Sequence, residues 1–329
     1  MLIPLLTALA AAWGYLDLRA YSRTASDLHG SDQTVLILPG EEFAGVLQKL
    51  NQSQVIRSPL RFELLARIKG LDKQLKAGEY HLSSAMTPRQ VLDTLVSGRV
   101  TLHRLTIPEG YQLKQIAQAV ETAGFCDAET FLQTASDATL IAQWGIEADS
   151  LEGYLFPDTY LLPATVSPQD IISVMVERFH QVYCPQWQQR AAQLGYTTHQ
   201  IITLASIIEK ETGDPAERPL IASVFHNRLK RGMRLDSDPT VIYGIKDFDG
   251  NLKRIHLRTP TAYNTYIISG LPPGPIASPG KSAIKAALYP ADTKYLYFVS
   301  KKDKTHYFSA TIAEHNRAVR KYQLRRRRQ

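Results

Sequence analysis

Two glutamates, Glu209 and Glu211, close an apolar run whose second half reads ASIIEKET. A carboxyl kept neutral by apolar surroundings can hand a proton to a leaving group and take one back, so the position suits general acid/base chemistry. On a helix, at about 100° per residue, the two carboxyls lie roughly 200° apart and cannot face one groove. The apolar face is centred between Ile201 and Ile208. Glu211 falls about 70° from that centre and Glu209 about 90° on the other side, a slight preference for Glu211. On its own, either glutamate reads more readily as a solvated helix end than as a catalyst.

The company raises the interest. The segment LEGYLFPDTY sets Glu152, Tyr154, Phe156, Asp158 and Tyr160 close together. Asn227, Arg228, Asp238, Thr240 and Tyr243 follow the glutamates, and the run from Thr261 to Tyr266 adds Tyr263 and Asn264. Aromatic faces beside amides and hydroxyls suit a groove for sugars, because ring faces take pyranose C–H groups and the polar groups take hydroxyls. Each of these residues singly is equally at home as a half-buried packing residue. Other chemistries fit less well. Pro279-Gly280-Lys281-Ser282 resembles the end of a phosphate loop, but Pro275 stands where that motif needs its first glycine. No HExxH or CxxC occurs, so no metal and no cofactor is expected. The two cysteines, Cys126 and Cys184, exclude a disulfide scaffold and leave room for one bridge or none.

The elements that would position these groups fall in two blocks. Val35–Leu38, Gly78–Leu82 and Val100–Ile107 read as strands, interleaved with helical spacing over Phe43–Leu50 and Arg61–Ile68. A further helix opens on Thr87-Pro88 and stops at Gly98. From Pro108 helices dominate: Leu113–Ala123, Ala128–Ala135, Pro168–Val182, His199–Glu211 and Ala216–Lys230, then a hairpin of Tyr295–Val299 with His306–Ser309, and a last helix over Ala313–Leu324. The fold class is α+β: a small α+β subdomain over residues 35–107, then a mainly helical domain over 108–324 with a short hairpin.

The 329 residues are 44% hydrophobic and 21% charged, which excludes disorder as the main state. The net charge of +7 equals the seven basic residues from Arg317 onward, so the folded body is neutral and nucleic acid is not an expected partner. Residues 325–329 are a basic tail. The first 18 residues, MLIPLLTALAAAWGYLDL, lack a basic start and read as a membrane anchor ahead of a linker over 19–34, with a cleaved signal and a buried N-terminal helix as the alternatives, although Arg19 and Arg23 argue for the opposite orientation.

The runs ASIIEKET, ERPLIASVFHNRLKRGMRLDSDPTVIYG and TPTAYNTYIISGLPPGPIASPG, with EGYLFPDTY and the late YLYFV strand, closely resemble the endolytic murein transglycosylases, the YceG-like (MltG) family. The resemblance implies a single-pass inner-membrane protein with a LysM-like region and a periplasmic catalytic domain. It implies internal cleavage of nascent peptidoglycan strands between N-acetylmuramic acid and N-acetylglucosamine, leaving a 1,6-anhydro end and ending elongation. Glu211 matches the family's catalytic glutamate. Glu152, Tyr154, Asp158, Asn227, Arg228, Asp238, Thr240, Tyr243, Tyr263 and Asn264 are the expected substrate-binding residues. The expected partners are glycan strands, the inner membrane and peptidoglycan synthases. Three rival readings stay open: a water-adding muramidase in which Asp236 or Asp238 assists Glu211, a glycan-binding module without catalysis, and a binder of acidic partners through the arginine tail.

Overall fold

The computed structural model describes residues 2–27 and 29–324; the basic tail lies outside the described residues. Helices and small antiparallel sheets make an α+β chain divided into two compact units. The first runs to Arg104 and takes in Leu161–Val166. The second comprises Leu105–Tyr160 and the chain from Ser167 onward.

The first unit holds α1 (Leu2–Arg23), β1 (Asp32–Ile37), α2 (Phe43–Gln52), α3 (Pro59–Ile68), β2 (Gly78–Ser83) and α4 (Pro88–Ser97). β1 and β2 pair antiparallel with Val35 opposite Tyr80. Their inward residues, Val35, Ile37, Tyr80 and Leu82, meet Val46, Leu50, Phe62, Leu92 and Leu95 of the helices in one buried cluster. α4 shows how local the instructions are. The Thr87 hydroxyl accepts from Gln90 N, the Gln90 side chain returns the bond, Pro88 sits at the first position, and Gly98 ends the helix at φ 70°.

The N-terminal segment departs from expectation. No helix among the described residues is long and apolar enough to cross a membrane. The physical reason lies in α1's second half, which belongs to the folded unit. Leu18 is buried in its core, Asp17 pairs with Arg61 at 3.3 Å, and the Tyr21 hydroxyl donates to Ser58 O at 3.1 Å. Leu5, Leu6, Leu9, Trp13 and Leu16 are exposed. The segment that follows is not a plain linker either, since Ser22 and Ser26 are buried.

β3 (Leu102–Thr106) pairs with β4 (Thr159–Pro163), a strand too short for its sequence pattern to announce. The second unit continues with α5 (Leu113–Thr122), α6 (Ala128–Ala135), α7 (Ala138–Gln143), α8 (Pro168–Val182), α9 (Pro185–Leu194), α10 (Thr198–Glu211), α11 (Arg218–Lys230), α12 (Asp238–Tyr243) and α13 (Lys281–Leu288). The hairpin β5 (Tyr297–Ser300) and β6 (His306–Ser309) and the helix α14 (Ile312–Val319) complete it. α10 is the axis of this unit. Its residues from Ile201 to Ile208 are all buried, polar Thr203 and Ser206 included, so it is enclosed on every side and not on one face alone. Thr203 and Ser206 fit because their hydroxyls donate to His199 O and Thr203 O, while Ser206 Oγ also accepts from Ile276 N. Both cysteines are unpaired.

Candidate active site

The last turn of α10 sends its two glutamates to different fates. Glu209 Oε1 accepts from Arg218 Nη2 at 2.6 Å, and its Oε2 accepts from Gly280 N at 2.9 Å. Arg218 also donates to Ser282 Oγ and reaches Glu109 at 3.5 Å. Burial raises the Glu209 carboxyl, and the Gly280 amide and Arg218 oppose the rise. Lys210 Nζ donates to Gly110 O at 3.2 Å. The first two residues of the E-K-E triplet therefore tie α10 to its neighbours. A β-carbon at Gly280 would displace the Glu109 carboxyl, which stands in that place. The phosphate-loop-like segment does open α13, but a carboxylate of the chain itself already takes its leading N–H.

Glu211 has no such cage. It is half-buried, and its Oε1 accepts from Ser237 Oγ at 2.5 Å. Burial pushes its carboxyl up to about 7. The neighbouring charge of Asp238 adds to that rise, and the Ser237 bond and Arg228 oppose it. A carboxyl in that range is populated in both forms at neutral pH, which is what one group needs to act as acid and then as base.

Ser237 is set by its surroundings. Ser237 N donates to Thr265 Oγ1 at 3.0 Å, and Ser237 O accepts from the Thr240 hydroxyl at 2.7 Å. Arg228 holds the preceding loop, donating to Arg234 O, Leu235 O and Asp236 Oδ2 at 2.9–3.0 Å, and to Leu296 O at 2.7 Å. Asn227 donates to Thr293 O and Tyr295 O. Asn264, fully buried, donates to His256 O and Thr259 O and accepts from Tyr266 N. Thus Asn227, Arg228, Thr240 and Asn264, expected against substrate, direct their polar atoms at loop backbone or at the side chains of Asp236 and Thr265. They shape the site from behind. Asp238 differs: it is exposed beside Glu211 and accepts from the Tyr266 hydroxyl at 2.7 Å.

A second group surrounds Glu152, which is only 7% exposed. Its carboxylate accepts from Leu113 N at 3.0 Å and from the Tyr243 hydroxyl at 3.1 Å, and the Tyr243 ring lies 4.7 Å from that of Tyr263. Burial lifts Glu152 to about 7 against those two donors. α12 joins the groups, with Asp238 at its start and Tyr243 at its end, about 8 Å apart along the axis. An open cavity of about 370 Å³ lies beside Glu152, lined also by Asp149, His199, Tyr263 and the Pro273–Pro275 turn. Gly153, at φ 84°, lets Pro275 pack where a side chain would stand. Tyr154 is buried, and its hydroxyl meets His199 Nδ1 at 2.8 Å. Asp158 pairs with Arg178 of α8 at 2.7 Å instead. Among the described residues no group of His, Cys, Asp and Glu could hold a metal ion.

Ser237, Tyr266 and His199 were absent from the sequence-derived site. Only Ser237 carried a signal, standing before Asp238-Pro239 at a helix start, where serine caps. In the fold its hydroxyl turns to Glu211.

The elevated carboxyls have a measurable consequence for stability. Glu152 binds its proton more tightly when folded, so its ionisation weakens the fold as pH rises from about 4.5 to about 7, and the full penalty stands above that range. Glu152→Gln, which keeps an acceptor for Leu113 N, should add up to roughly 3 kcal/mol at pH 8 and nothing at pH 4. Urea unfolding at the two pH values measures this; an equal effect at both would contradict the assignment.

The profile of the YceG-like family matches residues 35–321. The chain is 35% identical over 300 residues to the endolytic murein transglycosylase of Bacillus subtilis strain 168, covering 86% of this chain and 82% of that one. It is 31% identical to the Streptococcus pneumoniae D39 protein of the same name, of whose length the match takes in 57%. A crystal structure of a YceG-like protein from Listeria monocytogenes superposes with a TM-score of 0.60 at 34% identity, over 88% of this chain and 99% of that one.

Proposed function

The chain belongs to the YceG-like family, and from that membership we propose that it is a peptidoglycan lytic transglycosylase with Glu211 as its acid and base. The observation that carries this reading is the contrast within α10. Glu209 is sealed by Arg218, whereas Glu211 keeps one hydroxyl partner and a carboxyl raised to about 7.

Protonated Glu211 donates to the glycosidic oxygen as the muramyl C1–O bond breaks. The cationic C1 that develops is met by the substrate's own N-acetyl group and by the exposed carboxylate of Asp238. The C6 hydroxyl then bonds to C1 and its proton passes to the Glu211 carboxylate. Glu211 ends protonated, no water is consumed, and the product is a 1,6-anhydromuramic end. One carboxyl suffices because the nucleophile belongs to the sugar, where hydrolases need a second group. Cleavage within nascent strands would end their elongation, and peptidoglycan synthases are the partners that supply such strands. The first unit is assigned the LysM-like role of holding glycan. The exposed apolar residues of α1, Leu5 to Leu16, are its contact with the membrane surface.

Digestion of uncrosslinked strands by the full chain tests the activity. Internal cutting releases long fragments before short ones; early release of disaccharides alone would overturn the endolytic reading. The pH profile tests Glu211's environment. Because the acid form starts the reaction, kcat should fall as pH rises through about 7. Ser237 donates to the ionised form, so Ser237→Ala should move that limb about one unit higher. A limb that stays put or moves lower would contradict the geometry.

A further inference from the structure

A second cavity of about 260 Å³ adjoins the one beside Glu152; the two share Glu147 and His199 as lining. His199 stands between them, its Nδ1 meeting the Tyr154 hydroxyl at 2.8 Å and its Nε2 meeting Pro273 O at 2.7 Å. The carbonyl can only accept, so Nε2 carries the proton and Nδ1 accepts from the tyrosine. The inner wall is aromatic: Tyr154, Phe179 and Tyr183 are buried, with Phe179 and Tyr183 stacked at 5.6 Å. The rim is polar and exposed, with Glu147, His180 and Gln188. Among the described residues no hydrogen bond engages the Gln188 side-chain amide, so it is available to a ligand.

These rings are at most 2% exposed, so the cavity offers a pyranose their edges and the polar groups of its rim rather than open aromatic faces. Charge narrows the choice. No lysine or arginine lines either cavity, while Glu147, Asp149 and Glu152 do. A carboxylate-bearing muramyl peptide would meet like charge there, and a neutral N-acetylated sugar would not. Position supports a strand. His199 precedes Glu211 by twelve residues on one helix, about 18 Å of rise, a distance that several linked pyranoses span.

We propose that the cavity walled by Tyr154, Phe179 and Tyr183 is a distal subsite for a neutral N-acetylglucosamine unit of the strand whose cleavage Glu211 performs. The proposal rests on the transglycosylase reading and adds to it a reason for internal cutting. A strand must reach several sugars past the cleaved bond to fill the subsite, so short fragments bind weakly and long ones are preferred.

The test is a titration of the full chain with the N-acetylglucosamine trimer, followed by tryptophan fluorescence. Trp187 reports on the cavity because its ring packs edge-on to Tyr183 at 6.3 Å. Gln188 is exposed, so Gln188→Trp fills the rim without touching the core, and Gln188→Ala removes only the amide. The trimer should bind the native chain and Glu211→Gln alike, at least tenfold more weakly to Gln188→Trp, and severalfold more weakly to Gln188→Ala. Gln188→Trp should also raise KM for long strands while leaving kcat on them unchanged. Equal trimer binding by native chain and Gln188→Trp overturns the subsite. So does binding of a free stem peptide in place of the trimer. Trimer binding that responds to these variants in a chain that cuts no strand would leave the sugar subsite standing and remove the enzymatic reading.

Discussion

Glu211→Gln is expected to lower strand cleavage by about 10²–10⁴-fold or more, with the fold intact. Losing one general acid costs that range when other groups share the work, and here the same carboxyl serves both proton transfers. Glutamine keeps the shape and can still accept from Ser237, whose donation is the one hydrogen bond holding the Glu211 side chain among the described residues. The variant should also gain stability above pH 7, because it removes a carboxyl that burial makes costly to ionise. Paired measurement of turnover and urea unfolding separates a chemical loss from a structural one. Turnover within tenfold of the native chain would remove Glu211 from the chemistry.

The second large effect is structural. Arg218→Met should destabilise the second unit by about 3–5 kcal/mol. It strips the charge partner from Glu209, whose side chain is only 6% exposed, and it unties the first turn of α13 at Ser282. Gly280 N would remain as the donor to the stranded carboxylate. The deficit should shrink at low pH, where Glu209 takes a proton, and Glu209→Gln added to Arg218→Met should recover part of it. A loss under about 1 kcal/mol would mean that Glu209 is not held by this pair. Activity loss in Arg218→Met that tracks unfolding distinguishes this scaffold from Glu211.

Both effects arise in a triplet whose importance was legible before its geometry was. The apolar run into E-K-E marked α10 as buried, and helical spacing separated the two glutamates, but only slightly favoured Glu211. The decision lies in Arg218, Gly280 and Ser237, which reach α10 across long stretches of chain. Locally signalled elements were readable, as with α4, where Thr87, Pro88 and Gly98 act within one helix. The partners of Asn227 and Asn264 were not. An amide that holds the backbone carbonyl of Tyr295 has the same composition as one that holds a sugar hydroxyl, so residue type alone does not tell to what either amide donates. The same limit applied to the N-terminus. The apolar run was plain, yet its end was set by Arg61, Ser58 and Val55, which claim the chain from Asp17 to Ser26. Short elements such as α7, β4 and α12 lacked enough turns or alternations to stand out from their flanks, and α9, PQWQQRAAQL, is polar at half its positions and buries only Ala191.

The most direct measurement is cleavage of uncrosslinked strands in heavy-oxygen water, with mass analysis of the new muramyl ends. If Glu211 passes the C6 hydroxyl's proton and the sugar closes on itself, every new end is lighter by one water than a reducing end and carries no label. Labelled reducing ends would show that water attacks C1, and would contradict the single-carboxyl mechanism.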